Sequence, residues 1–165
     1  MWIYLLRHGI AEDHRPDRPD EDRELTDEGR KRLQRAGGTW KQLVHTPDVV
    51  MTSPLKRARQ TADVFADAIG FDGDLHVDAG LVPSAMTTQA MTLLEGEMLA
   101  QTDSVVVIGH EPHLGYLLGM LLTGNPGLSI PLKKGMIVGV QTETPTSLIA
   151  SLRFAIGQKA AAKLG

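Results

Sequence analysis

Two histidines in this chain stand where chemistry could be done. Each follows a short run of apolar and β-branched residues: His8 comes after Met1-Trp2-Ile3-Tyr4-Leu5-Leu6-Arg7, and His110 after Asp103-Ser104-Val105-Val106-Val107-Ile108-Gly109. A third stretch, Ser53-Pro54-Leu55-Lys56-Arg57-Ala58-Arg59-Gln60-Thr61-Ala62, brings three cations to the opening turns of a helix, where the helix dipole disfavours them. Local rules broken in this way are expected at functional sites. A neutral imidazole is a competent nucleophile near pH 7, and flanking cations both favour its neutral form and hold the oxygens of a phosphoryl group. Two histidines could also ligate a metal, but no third ligand has convincing spacing, so no metal and no cofactor are expected.

The elements that must position these residues alternate between strand and helix. The run ending at Leu6 and the run ending at Ile108 both read as strands buried on two faces, which places His8 and His110 at the carboxyl ends of a sheet, where open α/β folds bind ligands. If the two strands are neighbours, the histidines face one another across a pocket. Residues 12–24 are rich in charge, contain Pro16 and Pro19 and lack apolar periodicity, so they read as a solvated loop that could form a rim or lid. Thr26 caps a helix carrying Leu33, Ala36, Trp40 and Leu43 at helical spacing and ending near Thr46-Pro47. Asp48 to Thr52 is a second strand, after which Ser53 as cap and Pro54 as first residue begin the next helix, to Gly70. An extended stretch at Leu75-Val77 and Leu81-Pro83, a helix from Met86 to Ala100 and a helix from Pro112 to Leu122 follow. Met136–Gln141 and Ser147–Phe154 form an antiparallel edge, and the tail from Ala160 is a weak helix or frayed end. The fold expected is α/β: a three-layer sandwich with a mainly parallel central sheet, helices on both faces and an antiparallel C-terminal edge.

Composition excludes several classes of function. At 165 residues one domain spanning 1–165 is expected. A net charge of −3 gives no basic field for nucleic acid, and the absence of cysteine removes thiol nucleophiles and disulfides. The first strand starts at Met1 and no apolar run is long enough to span a bilayer, so no leader, no membrane association and a cytoplasmic location are expected.

Taken together, Leu6-Arg7-His8-Gly9, Leu25-Thr26-Asp27-Glu28-Gly29, Ser53-Pro54 through Ala62 and Val107-Ile108-Gly109-His110-Glu111-Pro112 closely resemble the histidine phosphatase superfamily, the phosphoglycerate-mutase-like fold. Within it, the small size and the stretches Arg23-x-Leu25-Thr26-x-x-Gly29 and Gly109-His110-Glu111-Pro112-x-Leu114 look most like the SixA-type phosphohistidine phosphatases. The resemblance covers roughly residues 1–140. It implies that His8 is the nucleophile that takes the phosphoryl group, that Arg7 and Arg57 bind phosphate oxygens and that His110 is the second histidine of the pocket. Phosphate or sulfate is expected to collect there.

One departure bears on the substrate. Many superfamily members carry a glutamate that protonates an alcohol leaving group, and the corresponding stretch here, Asp78-Ala79-Gly80-Leu81-Val82-Pro83-Ser84, has none. Glu12, Asp78 and Glu111 are candidate substitutes without a supporting motif. A departing imidazole needs less help from an acid than an alkoxide does, so the missing residue points to phosphohistidine on a partner protein. A phosphatase of a small phosphorylated metabolite and a non-catalytic phosphate-binding module are the alternatives. Lys56, Arg59, Lys133 and Lys134 are candidate partner contacts outside the pocket.

Overall fold

The computed structural model describes residues 1–165. Its centre is a six-stranded sheet of strands β1 (Trp2–Arg7), β2 (Val49–Thr52), β3 (Leu75–Val77), β4 (Ser104–Gly109), β5 (Ile137–Thr144) and β6 (Ser147–Ile156), in the order β3-β2-β4-β1-β5-β6. The first four of these in sheet order are parallel, whereas β5 runs antiparallel to β1, and β6 antiparallel to β5. The two strands that precede the histidines are direct neighbours, with Leu6 paired to Ile108 and Arg7 to Gly109.

Side-chain alternation explains why these central strands read as continuous apolar runs. Ile3, Leu5, Val105 and Val107 enter one core with Leu114, Leu117 and Leu121, while Tyr4, Leu6, Val106 and Ile108 enter a second with Leu33, Trp40 and Phe65. The first core lies beneath helices α3 (Thr87–Leu99) and α4 (His113–Thr123). The second lies beneath α1 (Asp27–Leu43), α2 (Lys56–Ile69) and α5 (Gln158–Leu164). The result is the expected three-layer α/β sandwich with an antiparallel C-terminal edge. No helix is long and apolar enough to cross a membrane.

Three local differences from the sequence expectations have physical causes. Ser53 does not cap α2: its N–H extends the sheet by donating to Ile108 O, and Leu55 is still extended, so the helix starts only at Lys56. Leu81, expected to be extended with Val82 and Pro83, instead ends a short 3-10 turn, Ala79–Leu81, at whose start the Asp78 carboxylate accepts from Gly80 N at 2.7 Å and closes the chain locally. The C-terminal tail is docked rather than frayed, with Ala161 buried and its carbonyl accepting from Thr39 Oγ1 of α1 at 2.7 Å.

Helix α1 begins where the sequence places its cap, Thr26 Oγ1 accepting from Gly29 N at 3.0 Å. Gly29 is there for space: a Cβ would fall on the carbonyl oxygen of Ile10, which also accepts from Thr26 N and so ties the loop after His8 to the helix. Gly96, inside α3, has open space where its Cβ would be. Gly29→Ala is therefore expected to lower stability by about 1–3 kcal/mol, while Gly96→Ala should raise it by about 0.5–1 kcal/mol. Denaturant midpoints of the two variants check both signs.

Candidate active site

Three adjacent parallel strands deliver the polar groups of the site. Beyond β1, His8 N donates to Gly109 O at 3.0 Å, and beyond β2, Ser53 N donates to Ile108 O at 3.1 Å. Sheet pairing thus continues one residue past each strand and fixes His8, Ser53 and His110 side by side. The two imidazole rings lie with centroids 4.9 Å apart, tilted by 53°.

His8 is 5% exposed, and its Nδ1 lies 2.7 Å from its neighbour's carbonyl, Gly9 O. A carbonyl only accepts, so Nδ1 carries the proton and the lone pair of the neutral ring sits on Nε2. Burial is the largest cause that lowers the His8 pKa to about 3, and the charges of Arg57, Arg7 and Lys134 lower it further against the opposing pull of the Gly9 hydrogen bond. His110 is lowered to about 2, again first by burial and then by the charges of its neighbours His8 and Arg57. Its Nε2 is 2.9 Å from Ser53 Oγ, which fixes the ring. Sequence reasoning assigned Ser53 to a helix cap and so missed this contact. Its only signal was the Ser-Pro pair itself, which breaks the strand just opposite His110.

Arg7 and Arg57 come in from opposite sides. The Arg7 guanidinium donates through Nη1 to Leu132 O at 2.7 Å, and Glu111 Oε1 accepts from Leu132 N at 3.0 Å, so one residue's backbone joins the two side chains. Arg57 is buried, and Thr61 Oγ1 couples its helix to the loop after His8 by donating to Arg57 O at 2.7 Å and accepting from Gly9 N at 3.2 Å. Arg7 Nε, Arg57 Nε and His110 Nδ1 are buried with no hydrogen-bond partner within the protein. Such orphaned polar atoms are costly, and two guanidinium groups whose charges reach a neutral imidazole suit an anion with several oxygens.

The charged loop reaches this site. Asp20, in a 3-10 turn at Asp20–Asp22, accepts from Arg57 through both its backbone oxygen, at 2.7 Å, and its carboxylate, at 2.9 Å, and it also pairs with Arg23 at 2.6 Å. Partial burial pushes the Asp20 carboxyl up, but the hydrogen bonds from Arg23 and Arg57 outweigh it and hold the group below its usual range. Lys56 lies 3.3 Å from Glu24 and so faces the same loop, while Arg59 is exposed.

The three candidate acids are occupied elsewhere. Glu12 Oε2 pairs with Arg18 at 2.8 Å and accepts from Glu24 N. Asp78 closes the Gly80 turn described above. Glu111 holds Leu132, and its charge favours the protonated form of Arg7. No group of three or more His, Asp or Glu side chains is arranged to hold a metal ion. His113, unassigned from sequence, is buried at the start of α4, and its charged form is felt at His110.

Comparison with known proteins gives a consistent result. The family model described as the histidine phosphatase superfamily (branch 1) matches residues 3–86. An uncharacterized protein of Picosynechococcus sp. is 34% identical over 142 residues, 86% of this chain and 86% of that one. Among solved structures, the protein histidine phosphatase SixA complexed with tungstate shares the fold with a TM-score of 0.86, over 100% of both chains at 24% identity. A mycobacterial glucosyl-3-phosphoglycerate phosphatase complexed with VO3 does so with a TM-score of 0.73, over 93% of this chain and 97% of that one at 17% identity.

The buried histidines make a pH prediction with a definite sign. Their folded pKa values lie below the unfolded value of about 6.5, so as pH falls the unfolded chain takes up protons first. Stability is full above about pH 6.5 and is lost as pH falls from there towards about 3, the value of His8. Imidazole NMR signals of His8 and His110 are expected to stay those of the neutral ring between about pH 7.5 and 5, with His8 protonated on Nδ1. Titration of either ring near its ordinary value would refute the burial argument.

Proposed function

Because this chain belongs to the histidine phosphatase superfamily, branch 1, we propose that it is a phosphatase that forms a phosphohistidine on His8 and that its substrate is phosphohistidine on a partner protein. The observation that carries this reading is a buried neutral imidazole whose tautomer leaves Nε2 free, with the His110 ring 4.9 Å away and the charges of Arg7 and Arg57 close enough to lower its pKa. Arg7, Arg57 and His110 are then the phosphate-binding residues.

The first step follows from that geometry. The Nε2 lone pair of His8 attacks phosphorus, a bond forms from Nε2 to phosphorus, and the bond from phosphorus to the leaving nitrogen breaks. Arg7 and Arg57 offer charge to the oxygens on which negative charge spreads, which is most of what phosphoryl transfer demands. In the second step water attacks the phosphoryl group on His8, releasing inorganic phosphate and restoring the neutral ring. The chain's own side chains suffice for both steps, with no metal required.

The choice of substrate rests on the leaving group. Glu12, Asp78 and Glu111 all have structural partners, and Asp20, at the site, is held ionised by Arg23 and Arg57, which leaves no carboxyl free to protonate a departing oxygen. A phosphorylated imidazole supplies its own remedy: with a proton on its other nitrogen, taken from solvent, it departs as a neutral ring. An alkoxide has no such route. SixA, whose fold this chain shares, is described as a protein histidine phosphatase, which is in keeping with that preference.

The test compares kcat/KM for phosphohistidine, aryl phosphates and alkyl phosphates. Phosphohistidine and aryl phosphates should turn over, and alkyl phosphates should be slower by roughly 10²–10⁴-fold, the usual worth of a general acid. His8→Asn should abolish turnover of all three. Glu12→Gln and Asp78→Asn should each change phosphohistidine hydrolysis by less than about tenfold. Efficient alkyl phosphate hydrolysis that disappears in one of those two variants would reveal an acid and move the assignment to a small phosphorylated metabolite.

A further inference from the structure

A wide cleft of the protein is lined by neither His8 nor His110. It has a volume of about 610 Å³ and opens between the Lys133–Lys134 turn, helix α1 and helix α5, where Arg32, Lys133, Lys134, Lys159 and Lys163 line it without a single carboxylate. In a chain of net charge −3 that is a local reversal of sign. Only Arg32 of the five has an ion-pair partner, Glu28 at 2.7 Å. Like charges gathered in a concave, low-dielectric wall focus a positive field and attract anions.

Two further observations make this cleft part of the site's construction. Its Lys133–Lys134 wall is bolted to the end of β1, since Gly135 N donates to the carbonyls of both Arg7 and His8 at 3.1 Å, and the charge of Lys134 is felt at the His8 ring. Gln158, which also lines the cleft, is 6% exposed, and its Nε2 is a buried donor with no partner in the protein. The amide packs against Gly135, whose φ of +67° and lack of a Cβ let the turn and α5 approach this closely.

We propose that this basic cleft docks an acidic surface of the phosphorylated partner protein while its phosphohistidine enters the neighbouring pocket. The inference rests on the function proposed above and adds to it the charge of the partner's contact surface. His8 is buried, so a phosphohistidine can reach it only if the surface around that residue comes down onto the rim of the pocket. A single phosphoryl group has no use for so wide a cleft, whereas carboxylates flanking the phosphorylated residue would meet four free ammonium groups on flexible stems. Contacts of that type steer and orient an encounter, and salt weakens them.

The experiment uses the whole protein with two synthetic phosphohistidine peptides of equal length, one flanked by glutamates and one by glutamines, and with phosphoimidazole. The wild type should favour the glutamate peptide by about tenfold in kcat/KM at low salt. The variant Arg32→Ser/Lys159→Ser/Lys163→Ser, altered only at exposed positions, should lose that preference and keep its activity on phosphoimidazole. Lys159→Glu/Lys163→Glu, which leaves three cations against two carboxylates in the cleft, should shrink the preference for the glutamate peptide below that of the wild type. Equal wild-type rates on both peptides, or a preference that survives in the triple variant, would overturn the docking proposal alone. So would inhibition by inorganic tripolyphosphate that disappears in the triple variant while the peptide preference stays, because the cleft would then belong to a small polyanion. If neither peptide nor phosphoimidazole turns over while aryl phosphates do, the phosphohistidine reading itself fails and the docking proposal falls with it.

Discussion

The hydrogen bond from His8 Nδ1 to the carbonyl of Gly9, 2.7 Å long and buried, is the constraint on which the rest of the site depends. It decides which ring nitrogen is left with a lone pair. Burial then decides the charge state, since an imidazolium at that position would have to be held without water and beside two guanidinium groups. Cations close to a histidine are usually read as a device to keep it neutral. Here desolvation comes first and the cations second, which leaves the cations available for the phosphate-binding role proposed above.

Holding two guanidinium groups ready is itself a structural problem, and the chain solves it differently on each side. Arg7 is braced through the backbone of Leu132, whose other end is gripped by Glu111, so the residue after the second histidine positions the residue before the first. Arg57 is braced by Asp20 from the charged loop. Both are fixed through Nη atoms while each Nε remains without a protein partner. Arg7, held through Nη1 alone, can take an anion on Nη2 and keep its support, whereas Arg57 must share its guanidinium between the anion and Asp20.

Much of this was legible in the sequence, for identifiable reasons. The strands ending at Leu6 and Ile108 are apolar on both faces, a pattern that only burial on two sides produces, and their adjacency brought His8 and His110 together as expected. Lys56, Arg57 and Arg59 all run against the dipole of their helix, and only the family resemblance singled out Arg57, the one of the three that is buried. What was not legible depends on distant partners. The hydrogen bond of Ser53 to His110 links residues 57 positions apart, and nothing local separates it from a helix cap. Asp20 is one of several acids in a loop without periodicity, and only the fold shows that it is the one reaching Arg57. Lys133 and Lys134 were candidate partner contacts in the sequence, but the cleft they line forms only once the C-terminal helix, expected as a weak helix or frayed end, docks beside them.

The central claim is that His8, neutral and protonated on Nδ1, accepts the phosphoryl group on Nε2. It is tested most directly by rapid acid-free quenching of the enzyme with excess phosphohistidine substrate, followed by mass spectrometric location of the label and NMR assignment of the phosphorylated nitrogen. The account predicts one phosphoryl group per chain, on His8, at Nε2. A phosphoryl group on His110, or on Nδ1 of His8, would contradict it, as would turnover with no phosphorylated histidine at all.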